Sequence, residues 1–86
     1  MSDPDTVHAV ALRRLQWKCR RGMRELDELL QGYLQQHGAG LTPDALQTFD
    51  QLLEYSDQQL LEILMGREVP ERQGLADVVE RIRAAA

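Results

Sequence analysis

The chain has little cysteine and no long apolar run, and each shortage excludes a class of protein. Its single cysteine, Cys19, cannot form an internal disulfide, which indicates a reducing compartment. The longest apolar runs are three or four residues, too short for a membrane helix, so we expect no membrane insertion. The first five residues include two acids and precede no apolar segment, so we expect no signal peptide. The sequence is typical of a cytoplasmic, bacterial protein.

Strand signals are nearly absent, whereas helix signals recur along the chain. The 86 residues are enough for one small domain, residues 1–86, in which we expect residues 1–5 to form a flexible N-terminus. We found no alternating apolar pattern and no Asn-Gly or Asp-Gly turn. The composition, 43% apolar and 28% charged, is that of a globular protein. We therefore predict an all-α fold, a compact bundle of four to five short helices, monomeric when free.

Helix ends are indicated by capping residues and glycines. We predict a first helix over about 6–20, which Asp3 or Asp5 could cap, and a second from about 21–22 to 37. Gly38 and Gly40 would end the second helix, because glycine accepts the left-handed conformation at a helix end. Thr42 is predicted to cap a third helix, and Ser56 a fourth that Gly66 ends. The last helix follows Pro70.

Apolar residues at helical spacing predict the buried side of each helix. For the first helix these residues are Val7, Val10, Ala11, Leu15 and Cys19. For the remaining helices they are Met23, Leu26, Leu30, Tyr33 and Leu34, then Leu46, Phe49, Leu52 and Leu53, then Leu60, Leu61, Leu64 and Met65, and finally Leu75, Val78, Val79 and Ile82.

Charge is distributed unevenly along the chain. Six of the ten basic residues lie between Arg13 and Arg24, whereas residues 25–86 hold twelve acidic and four basic residues. This basic patch could bind nucleic acid, but the acidic body would repel phosphate. It could be an ordinary solvated face, or it could dock a protein, because Arg and Trp commonly anchor interfaces. The presence of Trp17 favours docking, and a small helical nucleic-acid-binding or regulatory protein is the alternative.

Gly22 interrupts a segment that otherwise reads as helix, where glycine costs roughly 1 kcal/mol relative to alanine. It could break the chain between two helices, or it could allow a partner's backbone to approach closely. If the segment is helical, Arg21 and Glu25 share one face with opposite charges.

Catalytic chemistry is hard to find in this sequence. His8 and His37 are isolated, with no residues at metal-ligand spacing. A lone cysteine on an amphipathic helix is usually a small core residue, so we predict that Cys19 is buried. No phosphate-binding glycine motif occurs. We expect no enzymatic activity, no metal and no stably bound cofactor.

The stretch from Trp17 to Asp27 closely resembles the signature of the succinate dehydrogenase flavinylation factors, the SdhE-like FAD-assembly family. That family shares an Arg-Gly-x-x-Glu motif, which Arg21, Gly22 and Glu25 match. A second stretch is also similar to the family, through Phe49, Leu52, Leu53, Glu54, Asp57, Leu60, Leu64 and Met65.

This resemblance implies a compact helical bundle that promotes covalent attachment of FAD to the flavoprotein subunit of succinate dehydrogenase, with fumarate reductase as a further client. The cofactor involved would be the FAD of the partner flavoprotein. The partner-binding residues implied by the motif and its surroundings are Trp17, Arg20, Arg21, Gly22, Arg24, Glu25 and Asp27.

Overall fold

A computed structural model describes residues 4–85, with no description of the side chains of residues 4, 5 and 73. The described residues form five α-helices and one short 3-10 helix, and no strand. The α-helices are α1 (Pro4–Lys18), α2 (Arg24–His37), α3 (Pro43–Leu52), α4 (Asp57–Leu64) and α5 (Gln73–Ala85), and the 3-10 helix is η1 (Gly38–Gly40). The predicted all-α class is confirmed. None of these helices is long and apolar enough to cross a membrane.

One hydrophobic core joins all five α-helices. Each helix from α2 to α5 directs an apolar stripe inward, and the predicted core residues Leu26, Leu30, Phe49, Leu53 and Val79 are all at most 5% exposed. The other buried side chains are Leu15, Cys19, Tyr33, Leu34, Leu46, Leu52, Leu60, Ile63, Leu64, Leu75, Val78 and Ile82. The prediction that Met65 is buried is wrong: it is 39% exposed, because it follows the last residue of α4 as its C-cap, while Ile63, which was not predicted, is buried.

The predicted buried side of α1 is partly wrong. Val7 and Val10 are 55% and 52% exposed, whereas Leu15 and Cys19 are buried. Successive helical residues are about 100° apart, so Val10 lies about 140° around the helix from Leu15, and Val7 lies about 80° to one side. The inward stripe instead includes Leu12 and His8, whose Nε2 donates to the carbonyl oxygen of Gly38 at 3.0 Å.

Two predicted caps are confirmed. The Thr42 hydroxyl accepts a hydrogen bond from the amide of Ala45 at 3.1 Å, and Pro43 occupies the first turn of α3. The Ser56 hydroxyl accepts from the amide of Gln59 at 3.2 Å at the start of α4. For α1, Asp5 lies within the helix and is not its cap, and Asp3 lies outside the described residues.

Glycine ends two helices in different ways. Gly66 has a φ of +80° after α4, the left-handed conformation that favours glycine. Gly38 does not follow the predicted left-handed pattern, since its φ is −56°. A Cβ at Gly38 would lie 2.9 Å from Cδ2 of Leu12. A side chain at this position would therefore force the Leu12 side chain of α1 to shift.

Candidate functional site: the corner between α1 and α2

The segment between Lys18 and Arg24 is a turn, so the chain is not helical through the basic patch. The amide of Cys19 donates to Leu15 at 2.9 Å in the last α-helical bond of α1. Gly22 has a φ of +84°, which L-residues with a side chain rarely adopt. The first alternative for Gly22, a break between two helices, is confirmed, and the second helix begins at Arg24, two to three residues after its predicted start at about 21–22.

Asp27, in the first turn of α2, holds this turn from one side. One oxygen of its carboxylate accepts from the amide of Arg21 at 2.8 Å, and the other accepts from the amide of Gly22 at 3.3 Å. The amides of Arg21 and Gly22 precede α2 and have no acceptor within that helix. The charged carboxylate of Asp27 supplies the acceptor for both. Asp27, expected to bind a partner, has both carboxylate oxygens bonded within its own chain.

The guanidinium of Arg21 holds the turn from the other side. Nε donates to Oδ1 of Asp57 at 2.6 Å, and Nη2 donates to the carbonyl of Tyr55 at 2.7 Å. Nη1 donates to the carbonyls of Leu53 at 2.9 Å and Lys18 at 3.2 Å. These four bonds join the end of α1 to the α3–α4 loop and the start of α4.

Arg21 and Glu25 do not form the expected pair on one helical face. Arg21 precedes α2, its side chain is only 17% exposed, and its ion-pair partner is Asp57. The reason is the left-handed Gly22, which turns the chain before the helix begins and directs Arg21 toward α4. Glu25 lies in the first turn of α2 and is exposed.

The remaining motif residues are on the outside of the corner. Trp17 is 67% exposed, and the guanidinium carbon of Arg20 lies 4.9 Å from the centre of its ring, within cation–π distance. Gly22 is exposed, and a Cβ placed on it would meet no atom within 4 Å. We call the exposed residues Trp17, Arg20, Gly22, Arg24 and Glu25 the corner surface.

Carboxylates neutralise part of the basic patch. Lys18 pairs with Asp50 at 2.5 Å, and Arg24 pairs with Glu28 at 3.2 Å. Together with Arg21, half of the six basic residues in the patch therefore face an internal carboxylate. This pairing lowers the charge available to a phosphate backbone and gives no support to nucleic-acid binding.

The corner also contains the only thiol in the chain, and that thiol is buried. Cys19 is 0% exposed, which confirms the prediction that it is a core residue. Burial raises the pKa of its thiol to about 12, with a smaller opposing effect from Arg21 and a smaller reinforcing one from Asp27. No group of three or more His, Cys, Asp or Glu in the described part of the chain could hold a metal.

Asp57 belongs to the second stretch that resembles the family, but no sequence pattern connected it to Arg21. It occupies the first position of a predicted helix, where an acidic residue needs no further explanation. Its partner lies 36 positions earlier in the chain. The one signal in the sequence is that Arg21 directly precedes the helix-breaking Gly22. Its guanidinium therefore need not lie on the outer face of a helix and could turn inward.

The fold and the corner together define a small helical bundle whose distinctive surface is a turn between two helices. A family model described as "Flavinator of succinate dehydrogenase" matches residues 13–86, and the chain belongs to this family. The resemblance identified from the stretch between Trp17 and Asp27 is thereby confirmed.

Curated relatives agree with the family match. The chain is 49% identical over 70 residues to the FAD assembly factor SdhE of Legionella pneumophila (strain Paris), covering 81% of this chain and 87% of that protein. It is 42% identical over 73 residues to the FAD assembly factor SdhE of Methylococcus capsulatus, covering 83% and 86%. It is 35% identical over 74 residues to that of Coxiella burnetii, covering 86% and 90%. No solved structure gave a significant match.

Proposed function

We propose that this protein is an FAD assembly factor that promotes covalent attachment of FAD to the flavoprotein subunit of succinate dehydrogenase. Family membership over residues 13–86 supports this proposal, as do relatives that are named FAD assembly factors. Those relatives are bacterial, and we place the activity in the bacterial cytoplasm. Fumarate reductase is a second candidate client.

The corner surface is the proposed docking site on the flavoprotein. The observation that carries this assignment is the exposed pair of Trp17 and Arg20, since these residue types dominate the energetics of protein interfaces. Glu25 adds a carboxylate that can accept charge-assisted hydrogen bonds from the partner. Gly22 leaves open space where a partner backbone could approach.

In this proposal the protein acts by positioning and supplies no reactive group. The buried thiol of Cys19 is protonated at neutral pH, so this thiol does not act as a nucleophile. The flavoprotein supplies both the flavin and the histidine to which the flavin becomes bonded. Docking would hold the flavoprotein in the conformation in which these two groups are aligned, which favours their reaction by reducing its entropic cost. The FAD would remain bound to the flavoprotein throughout.

Co-expression tests this function. A succinate dehydrogenase flavoprotein is produced with and without this chain in a host that lacks its own assembly factor, and covalent flavin is read by in-gel fluorescence after denaturation. We expect the flavin signal per flavoprotein to rise clearly when the chain is present. Equal signals with and without the chain would contradict the proposed function.

A further inference from the structure

We propose that Asp57 is a positioning residue for flavoprotein docking: it holds Arg21 inside the corner and thereby fixes the corner surface in its binding geometry. This inference rests on the proposed function and deepens it. It gives Arg21 of the Arg-Gly-x-x-Glu motif a structural role inside the corner. It also adds to the motif the carboxylate of Asp57, from the start of α4.

The argument begins with the acceptors around Arg21. Three of the four are backbone carbonyls, of Lys18, Leu53 and Tyr55, and the fourth is the carboxylate of Asp57. The bond to Asp57 is the shortest of the four at 2.6 Å, and a bond between two ionised groups is about twice as strong as a neutral one. Asp57 therefore contributes most to keeping the guanidinium turned inward.

The second step connects this guanidinium to the exposed residues. The side chain of Arg21 is fixed by Asp57, while its backbone amide is fixed by Asp27 at 2.8 Å. The next residue is Gly22, which has the widest conformational freedom of any residue and needs neighbours to hold it at one φ. Anchoring Arg21 on both sides supplies that restraint.

The third step concerns the end of α1. The bond from Nη1 of Arg21 to the carbonyl of Lys18 ties the guanidinium to the residue that follows Trp17. Arg20, which lies over the Trp17 ring, directly precedes Arg21. Loss of the Asp57 carboxylate would thus disturb residues on both sides of the turn.

Removing the charge of Asp57 should have opposite effects on affinity for the flavoprotein in the two cases, positioning by Asp57 and direct partner binding by Arg21. If the guanidinium itself bonded the flavoprotein, removing the charge of Asp57 would free it, and affinity would stay the same or increase. If Asp57 acts through Arg21 to position the corner surface, removing that charge weakens docking.

The test measures the Kd of the full chain for the purified flavoprotein subunit. The variant is Asp57→Asn, and the matched control is Asp44→Asn, which removes an exposed carboxylate from the first turn of α3. Both are measured at a temperature where far-ultraviolet circular dichroism shows the helix content of the wild type. We expect Asp57→Asn to raise Kd about tenfold or more, the range of one charge-assisted hydrogen bond, and Asp44→Asn to leave it within about twofold.

Two further measurements separate positioning from simple stability. The Nε–H resonance of Arg21 and the amide resonance of Gly22 should shift in Asp57→Asn and stay unchanged in Asp44→Asn. Arg21→Lys keeps the positive charge but loses the planar fork, so it should also raise Kd. Combining it with Asp57→Asn should cost less than the sum of the two single changes, because both act on the contact between Arg21 and Asp57.

The outcomes are distinguishable. Wild-type affinity in Asp57→Asn, with the wild-type chain binding normally, overturns the positioning role and leaves the proposed function intact. Failure of the wild-type chain itself to bind the flavoprotein or raise its covalent flavin overturns both. If Asp57→Asn does not fold, Asp57→Glu, which keeps the charge but moves the carboxylate relative to Nε of Arg21, takes its place. Wild-type affinity in that variant together with a shifted Arg21 Nε–H resonance overturns the positioning role.

Discussion

Nε of Arg21 donates to the carboxylate of Asp57 at 2.6 Å, which ties the turn after α1 to the first residue of α4. The arginine and the glutamate of the Arg-Gly-x-x-Glu motif consequently have different surroundings. Arg21 is 17% exposed and bonded to its own chain, whereas Glu25 is exposed at the start of α2. Changes at these two positions should therefore affect stability and docking to different degrees.

Arg21→Ala should lower the free energy of unfolding by about 2–3 kcal/mol, because it leaves the Asp57 carboxylate and three carbonyls without their donor. Arg24→Ala is the matched control. The Arg24 side chain is 90% exposed and pairs with Glu28 on its own helix, so its loss should cost at most about 0.5 kcal/mol. Urea denaturation of both variants measures the difference, and equal costs would show that the inward bonds of Arg21 contribute no stability.

Gly22→Ala should destabilise the fold by about 1–2 kcal/mol, the cost of a left-handed conformation for an L-residue. The strain is conformational, since a Cβ at this position would meet nothing within 4 Å. Gly32→Ala is the control, because Gly32 lies within α2 with similar free space. Alanine there should stabilise the protein by about 0.5–1 kcal/mol. Thermal melts of the two variants should shift in opposite directions, and a stabilised Gly22→Ala would contradict the structure of the turn.

The fold was largely predictable from the sequence because its helices α2 to α5 follow simple periodic and capping rules. Leu75, Val78, Val79 and Ile82 recur at helical spacing and are all buried. Thr42 and Ser56 cap the helices for which they were predicted. In each case the residues that fix the structure lie within a few positions of one another, which is the range over which such rules apply.

The features that could not be predicted depend on contacts between distant residues. The exposed Val10 was assigned to the core because it is apolar, but the side of α1 that packs is set by Leu15 and Cys19. Gly38 was interpreted as a left-handed helix end, whereas its φ is −56° and the Leu12 side chain packs where its Cβ would be. The inward turn of Arg21 likewise requires Asp57, and no local pattern links these two positions.

Leu30→Ala or Leu53→Ala should each lower the free energy of unfolding by about 2–5 kcal/mol, because each removes a buried side chain and leaves a cavity. Val10→Ala is the comparison, since Val10 is 52% exposed and its truncation should stay within about 0.5 kcal/mol. Denaturant titration provides the measurement. A small effect at Leu53 would show that the end of α3 is not packed as described.

The buried thiol predicts a loss of stability at high pH. Folding raises the pKa of Cys19 from 9.0 to about 12, so the folded state holds the thiol proton more tightly than the unfolded state. This contribution is complete below pH 9 and disappears as the pH rises from 9 toward 12. In Cys19→Ala the part of the alkaline destabilisation due to this thiol should vanish. At pH 8 the native thiol should resist a disulfide reagent that labels the unfolded chain at once, and rapid native labelling would contradict its burial.

The most direct test of docking through the corner surface is the fraction of flavoprotein that carries covalent FAD when it is co-expressed with Glu25→Ala. Glu25 is exposed in α2, so this variant should fold and melt like the wild type. Glu80→Ala, which removes an exposed glutamate from α5, is the matched control. In-gel flavin fluorescence should fall toward the level without the chain for Glu25→Ala and stay at the wild-type level for Glu80→Ala. Wild-type fluorescence with both variants would contradict docking through this surface.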